Sequence, residues 1–178
     1  NIVANDATGL QIAGISNHIG NKGYGIAVAG IANTAGFYNG IQIGGISNFT
    51  KDSNIGLQIG GIVNYSGSTK GLMLGGISNI SGDFTGFQFA GVMNVAKNVK
   101  GVQFASIINI ADDSDFPIAF INIIKNGKMG VSLSYDILNN TVLSFRSGGK
   151  YTYGILGVGY NAKVNDGSKI MAEAGYGI

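Results

Sequence analysis

The sequence predicts an all-β fold: a repeat β-solenoid of 15–16-residue coils followed by an antiparallel β-meander that caps it. Three observations carry this. The phrase Gly-Φ-Gln-Φ-(Gly/Ala)-Gly-Φ-x-Asn, with Φ apolar, is written seven times, from Gly9, Gly25, Gly40, Gly56, Gly71, Gly86 and Gly101. A fixed period this short indicates a one-dimensional stack of β units. The segments are rich in Ile, Val, Leu and Phe yet carry internal glycines, each costing about 1 kcal/mol in a helix relative to alanine, so strands are favoured. Finally, the ten positions from each first glycine hold no Asp, Glu, Lys or Arg, and charge is confined to connections rich in Gly, Ser, Asn, Asp and Lys, which suit turns.

Residues 1–8 read as the tail of an earlier, decayed copy, with Ile2 and Val3 near apolar positions and Asn5 near the asparagine position. In the seven clear copies, strand alternation sets the second and fourth positions on one face and the glutamine on the other. The seventh position, always apolar (Ile15 to Ile107), is out of phase with them. A bend at the paired glycines restores the phase and is expected to send all three apolar columns inward. Glutamine is then expected on an outward face, where Ala27 and Met73 are tolerated. The unbroken asparagine column (Asn17, Asn33, Asn48, Asn64, Asn79, Asn94, Asn109) is expected to hold a corner, with amide ladders running along the stack.

The eighth and tenth positions grow more apolar toward the C-terminus, and the terminal meander is expected to cover them. Asp112, Asp113 and Asp115 read as a solvated turn that blocks further edge pairing. Phe116–Asn122 follows as an eighth, shortened copy in which Pro117 replaces the glutamine. The repeat array is thus assigned to 1–125. Residues 126–178, four strand-like runs separated by LNN, GGK and NDGS turns, form the meander, continuous with the array.

Composition excludes more than it assigns. Without cysteine there is no disulfide framework and no thiolate metal site. A net charge of +2 with dispersed lysines gives no basis for nucleic-acid binding. The lone His18 has no second histidine to complete a transition-metal site. The three aspartates lack the glycine and terminal glutamate of a calcium loop. Ser16, Ser47 and Ser78 recur without a base, and Glu173 has no acid/base companion. The Gly-x-x-x-x-Gly spacings lack the Lys-Ser/Thr of a phosphate loop. No catalytic, cofactor-binding or metal site is expected, and no small-molecule substrate.

The tandem GLQIGG-x-x-N units, the FPIAFINIIKNG exit and the FRSGGKYTYGILGVGY run resemble the surface-repeat proteins of Bacteroidetes and Leptospira. The resemblance implies an exported protein of the envelope, outer membrane or cell surface, and brings no catalytic residues. Partners are then other envelope proteins or the membrane itself. Beginning at Asn1 without methionine and ending on AGYGI, the chain reads as a mature or trimmed fragment. Two alternatives stand beside the solenoid. One is an outer-membrane β-barrel, since ten uncharged residues match the ~9–11 of a spanning strand; the other is an amyloid-like surface fibre subunit.

Overall fold

A computed structural model describes residues 1–163 and 169–178, and every regular element in it is a strand. The first twelve form the solenoid: β1 Ile2–Val3, β2 Ala7–Ala13, β3 Ser16–Ala29, β4 Ala32–Gly44, β5 Ser47–Gly60, β6 Val63–Gly75, β7 Ser78–Ala90, β8 Met93–Val95, β9 Asn98–Ala105, β10 Ile108–Ala111, β11 Asp113–Ile118 and β12 Ile121–Ile124. The last four form a separate antiparallel sheet: β13 Lys128–Tyr135, β14 Asn140–Gly148, β15 Tyr153–Asn161 and β16 Ile170–Gly177.

Every pairing in the array is parallel and sets like on like: Gly25 on Gly40 on Gly56, Asn33 on Asn48 on Asn64. A spanning barrel needs antiparallel neighbours, so the array is not one. The alternation between 15- and 16-residue spacing is absorbed at one corner, where register shifts fall at Ile19/Lys22, Ala35/Phe37 and Thr50/Ser53. Where two equal copies stack, β6 on β7, no shift occurs. The decayed first copy pairs as expected through Ile2 and Val3. Asn1, not Asn5, takes the asparagine place, its Nδ2 donating to Asn17 Oδ1 at 2.8 Å.

The chain bends at the second glycine and the following apolar residue of each copy, as at Gly30-Ile31 and Gly45-Ile46. The first glycine of every clear copy has φ between 102° and 139°. From Gly25 onward a Cβ there meets the stacked backbone as well; at Gly56 it would lie 2.2 Å from the Gly40 carbonyl oxygen. Only glycine satisfies both the left-handed backbone and the close approach.

The facing of the columns reverses the expectation from sequence. The glutamines Gln42, Gln58, Gln88 and Gln103 and the whole asparagine column point inward and are fully buried, whereas the second, fourth and seventh apolar columns point outward. Ile15 is 69 % exposed, Ile46 43 % and Ile107 51 %. The physical reason is the width of the coil. Fifteen residues enclose a lumen filled from five columns per turn, four of them taken up mostly by small and amide side chains, so bulk is admitted in one column, where Tyr38, Phe84 and Val99 stand among Asn54 and Thr69. Ala and Gly fill the fifth column, and Ile19 followed by Ala, Thr and Ser the eleventh.

Along its length the lumen is banded. An apolar cluster near the N-terminal end (Ala7, Ile19, Ala27, Ala35, Tyr38) and another toward the C-terminal end (Met73, Phe84, Ala96, Val99, Ala111, Ile124) flank a polar middle around Gln42, Thr50, Asn54 and Gln58. Burial raises the Tyr38 hydroxyl pKa to about 12.

The C-terminal sheet closes the end of the stack, but not over the eighth and tenth columns. Val95 and Ile110 stay half-buried and Ile123 exposed. It docks on the last coil instead: Ser147 Oγ accepts from Asn122 N at 3.2 Å, Tyr176 Oη donates to the Pro117 carbonyl at 3.2 Å, and Lys150 N donates to the Ser114 carbonyl at 2.9 Å. The aspartates do not end the pairing, because β11 stacks on β9 from Asp113 onward, with a register shift between Ser114 and Phe116. Pairing ends where the segment at Gly149–Thr152 takes the place of a next strand. Asp136 shapes the β13–β14 turn, accepting from Asn140 Nδ2 (2.8 Å) and from Asn140 N and Leu138 N, bonds that lower its pKa. Asn139 in that turn has φ 65°. The expected NDGS turn (165–168) lies outside the described residues.

Candidate functional surface

Two amide ladders run along the lumen in opposite senses. Each asparagine donates from Nδ2 to Oδ1 of the next coil's asparagine, unbroken from Asn1 to Asn122 at 2.8–3.0 Å. From Asn17 to Asn94 the second Nδ2 hydrogen goes to the fourth-position carbonyl of the next coil, Val28 to Phe104, at 2.6–2.9 Å. The asparagine therefore ties two limbs of the coil together, which is why the column has no gap.

Glutamine donates the other way. Gln58 Nε2 reaches Gln42 Oε1 at 2.8 Å and Thr50 Oγ1 at 2.9 Å, and Gln103 Nε2 reaches Gln88 Oε1 at 3.0 Å. Ala27 and Met73 interrupt this ladder, and the interruptions leave Gln42 Nε2 and Gln58 Oε1 without partners. Asn54, stacked between Tyr38 and Thr69, lacks partners on both side-chain atoms.

The residues singled out for chemistry are placed structurally. His18 is exposed, its Nδ1 2.6 Å from Thr34 Oγ1. Asp112 faces Lys125 at 4.0 Å, Asp113 accepts from Asn126 Nδ2 at 2.9 Å, and Asp115 accepts from Gly101 N at 3.2 Å. Ser16, Ser47 and Ser78 share one column with Ala32, Val63 and Met93. Glu173 accepts from Ser144 Oγ at 3.1 Å. Among the described residues, no three His, Asp or Glu side chains are grouped to hold a metal ion.

What the fold does present is a surface. The outward second, fourth and seventh columns lie side by side without a charge, and their members stack on one another: Phe89 on Phe104 with centroids 5.3 Å apart, and in the tenth column Phe49 on Tyr65 at 4.7 Å. The second to seventh positions, six residues at ~3.3 Å over seven rungs at ~4.8 Å, give a face of roughly 650 Å² up to the bend. The largest apolar patch of an ordinary monomer is ~300–600 Å². Charged groups line the opposite corner, where Asp and Asn alternate in the first two coils (Asp6, Asn21) and again from Asp83 through Asn98 and Asp113 to Asn126. Asn98 Nδ2 donates to Asp83 Oδ1 at 2.7 Å, and Asn126 does the same to Asp113, so that no two of these carboxylates stack directly.

No protein-family model, curated protein or solved structure matches the chain. A functional reading therefore rests on the surface itself. Sequence reasoning took the apolar columns for the core, yet a signal for their true facing was present. The fifth column is only Ala or Gly, the restriction expected of a crowded inner wall, while the fourth, on the other face, runs Ile, Val, Ile, Ile, Leu, Phe, Phe.

Proposed function

We propose that the chain is a non-catalytic structural module of the Gram-negative cell envelope or surface, a rod that docks by its apolar exterior. The observation that carries this reading is the inverted distribution of polarity, with amides in the lumen and a continuous uncharged apolar face outside. Leaving such a face in water is costly, at about 25 cal/mol per Å², so a permanent partner surface accounts for it. The resemblance of the repeats to exported surface-repeat proteins supports the compartment. The fibre reading is less well supported, because the C-terminal sheet occupies the end of the stack where another coil would add.

Cell fractionation tests the proposal. The chain is expected in the envelope fraction. A variant carrying Ile59→Thr, Leu74→Thr and Phe89→Thr, all outward, should keep its melting behaviour and lose that retention. Wild-type chain recovered wholly in the soluble fraction sinks the reading.

A further inference from the structure

The outward face of the solenoid tapers. Its fourth column starts with Ile12 and Val28 and ends the seven clear copies with Phe89 and Phe104, so bulk rises toward the C-terminal end. The second column starts with Leu10 and Ile26 and carries its phenylalanines, Phe87 and Phe116, at that same end. The shortened eighth copy continues the face, with Phe116 in the second column, Ile118 in the fourth and Phe120 at the corner. Leu72 is 43 % exposed and Phe89 42 %, so the C-terminal sheet leaves these columns uncovered. Along one margin, in the column before the first glycine, Tyr24, Asn39, Ile55, Lys70, Thr85 and Lys100 stack in register. Both lysines of that column lie in the C-terminal half of the rod.

We propose that the partner of this face is a second copy of the chain, related by a two-fold axis that crosses the rods between Leu57 and Leu72 and sets them antiparallel. The inference rests on the reading that the apolar exterior docks, and it names the partner. Eight rungs at ~4.8 Å by six residues at ~3.3 Å give roughly 760 Å², close to the ~800 Å² that each partner contributes to a stable interface. The outward side chains form ridges at the rung spacing. A copy repeats that spacing along its whole length, so the two sets can interdigitate as stacked sheets do.

The taper selects the arrangement. A two-fold contact uses the same patch on both sides, and between antiparallel rods each column meets itself in reverse. Val28 then comes opposite Phe104, Ile43 opposite Phe89, and Leu57 opposite Leu72. The bulky end of one rod fills against the slender end of the other, and the gap closes evenly. Parallel rods would set bulk on bulk at one end and leave a wedge at the other. In the margin the same operation brings Lys100 over Tyr24, a favourable meeting of ammonium and ring, and Lys70 over Ile55, so lysine does not face lysine. A bilayer surface has no rung spacing to match and gives the taper no purpose.

Sedimentation of the purified chain should give a dimer. Leu57→Lys, outward and beside the axis, should keep the circular dichroism of the strands and weaken the dimer roughly thirtyfold or more. Ser132→Lys, on the C-terminal sheet, should leave the dimer unchanged. The chain has no cysteine, so cross-linking reads the arrangement. A short bismaleimide should join Tyr24→Cys chains to Lys100→Cys chains when the two are mixed, and should join neither variant to itself. Joining of either variant to itself, or a monomer in sedimentation, whether or not it floats with phospholipid vesicles, overturns the proposal. Envelope retention of a chain that sediments as a monomer removes this inference and leaves the docking reading in place. A dimer recovered wholly in the soluble fraction removes the envelope reading and supports this one.

Discussion

The solenoid and the C-terminal sheet both turn apolar side chains outward, but they are held together differently. In the solenoid each strand is covered on its inner face by a lumen of ladders and small side chains, so deleting an inward group disturbs the coils on either side. In the sheet, β13 has every residue exposed and neighbouring strands are joined by backbone pairing without a second layer. Three or more strands need a covered face for independent stability, so the sheet depends on the last coil and on whatever lies against it. The contrast teaches that outward apolar residues are incidental to folding in the first region and central to what the second region contacts.

The contrast is sharpest at glycine. Gly56→Ala places a Cβ against the Gly40 carbonyl at positive φ and should cost about 3 kcal/mol or more, read by chemical denaturation. Gly130→Ala in β13, with nothing within 4 Å of the added atom, should change stability by less than about 0.5 kcal/mol. Equal effects would break the division between a crowded stack and an open sheet.

Next in size is the asparagine column. Asn64→Ala strips Asn48 Nδ2, Asn79 Oδ1 and the Leu74 carbonyl of partners in the lumen, an expected loss of about 2–4 kcal/mol. Gln58→Ala should cost less, about 1–2 kcal/mol, because that amide already has an unpartnered oxygen. Thermal melts of the two variants side by side decide the order.

Alkali gives a third test. Tyr38 keeps its proton to about pH 12 in the folded chain against 10 in the unfolded one, so the folded state holds more protons in that interval. Its contribution is complete below pH 10 and is lost as pH rises toward 12. Tyr38→Phe should flatten the fall of stability between those values. The smallest effect is a gain: Met73→Gln gives Gln58 Oε1 a donor and should stabilise by about 1 kcal/mol, unless Phe84 and Val99 beside it penalise the amide. A loss larger than that would show that the ladder's interruption is required by packing.

Much of this architecture was legible in the residues. The period named the stack, the turn-rich connections placed the charged corner, and the uninterrupted asparagines marked a structural column. The facing was not legible from alternation, which reports which residues share a side and is silent about which side is inside; only the restriction of the fifth column to Ala and Gly hinted at it. The usual tie-breaker, that apolar residues go in, fails where most columns of the lumen hold small or amide side chains and where stacking at ~4.8 Å gives most of the buried amides a partner, Asn54 excepted. Pro117 was read correctly as a departure from the glutamine column, but its consequence, a last coil onto which Tyr176 closes from 59 positions away, depends on contacts no local pattern contains. The outward apolar face was hidden for the same reason as the core.

The alignment of the backbone hydrogen bonds with the rod axis has a mechanical consequence. Tension applied between the two ends loads the rungs one at a time rather than together, so the solenoid should peel coil by coil instead of rupturing as a block. Each 15-residue coil, ~4.8 Å thick in the stack, becomes ~50 Å of extended chain. A single-molecule pulling trace should therefore show near-equal steps of roughly 45 Å, with the shorter last copy departing from the series. Such a rod yields progressively under load and rewinds from the coils that remain.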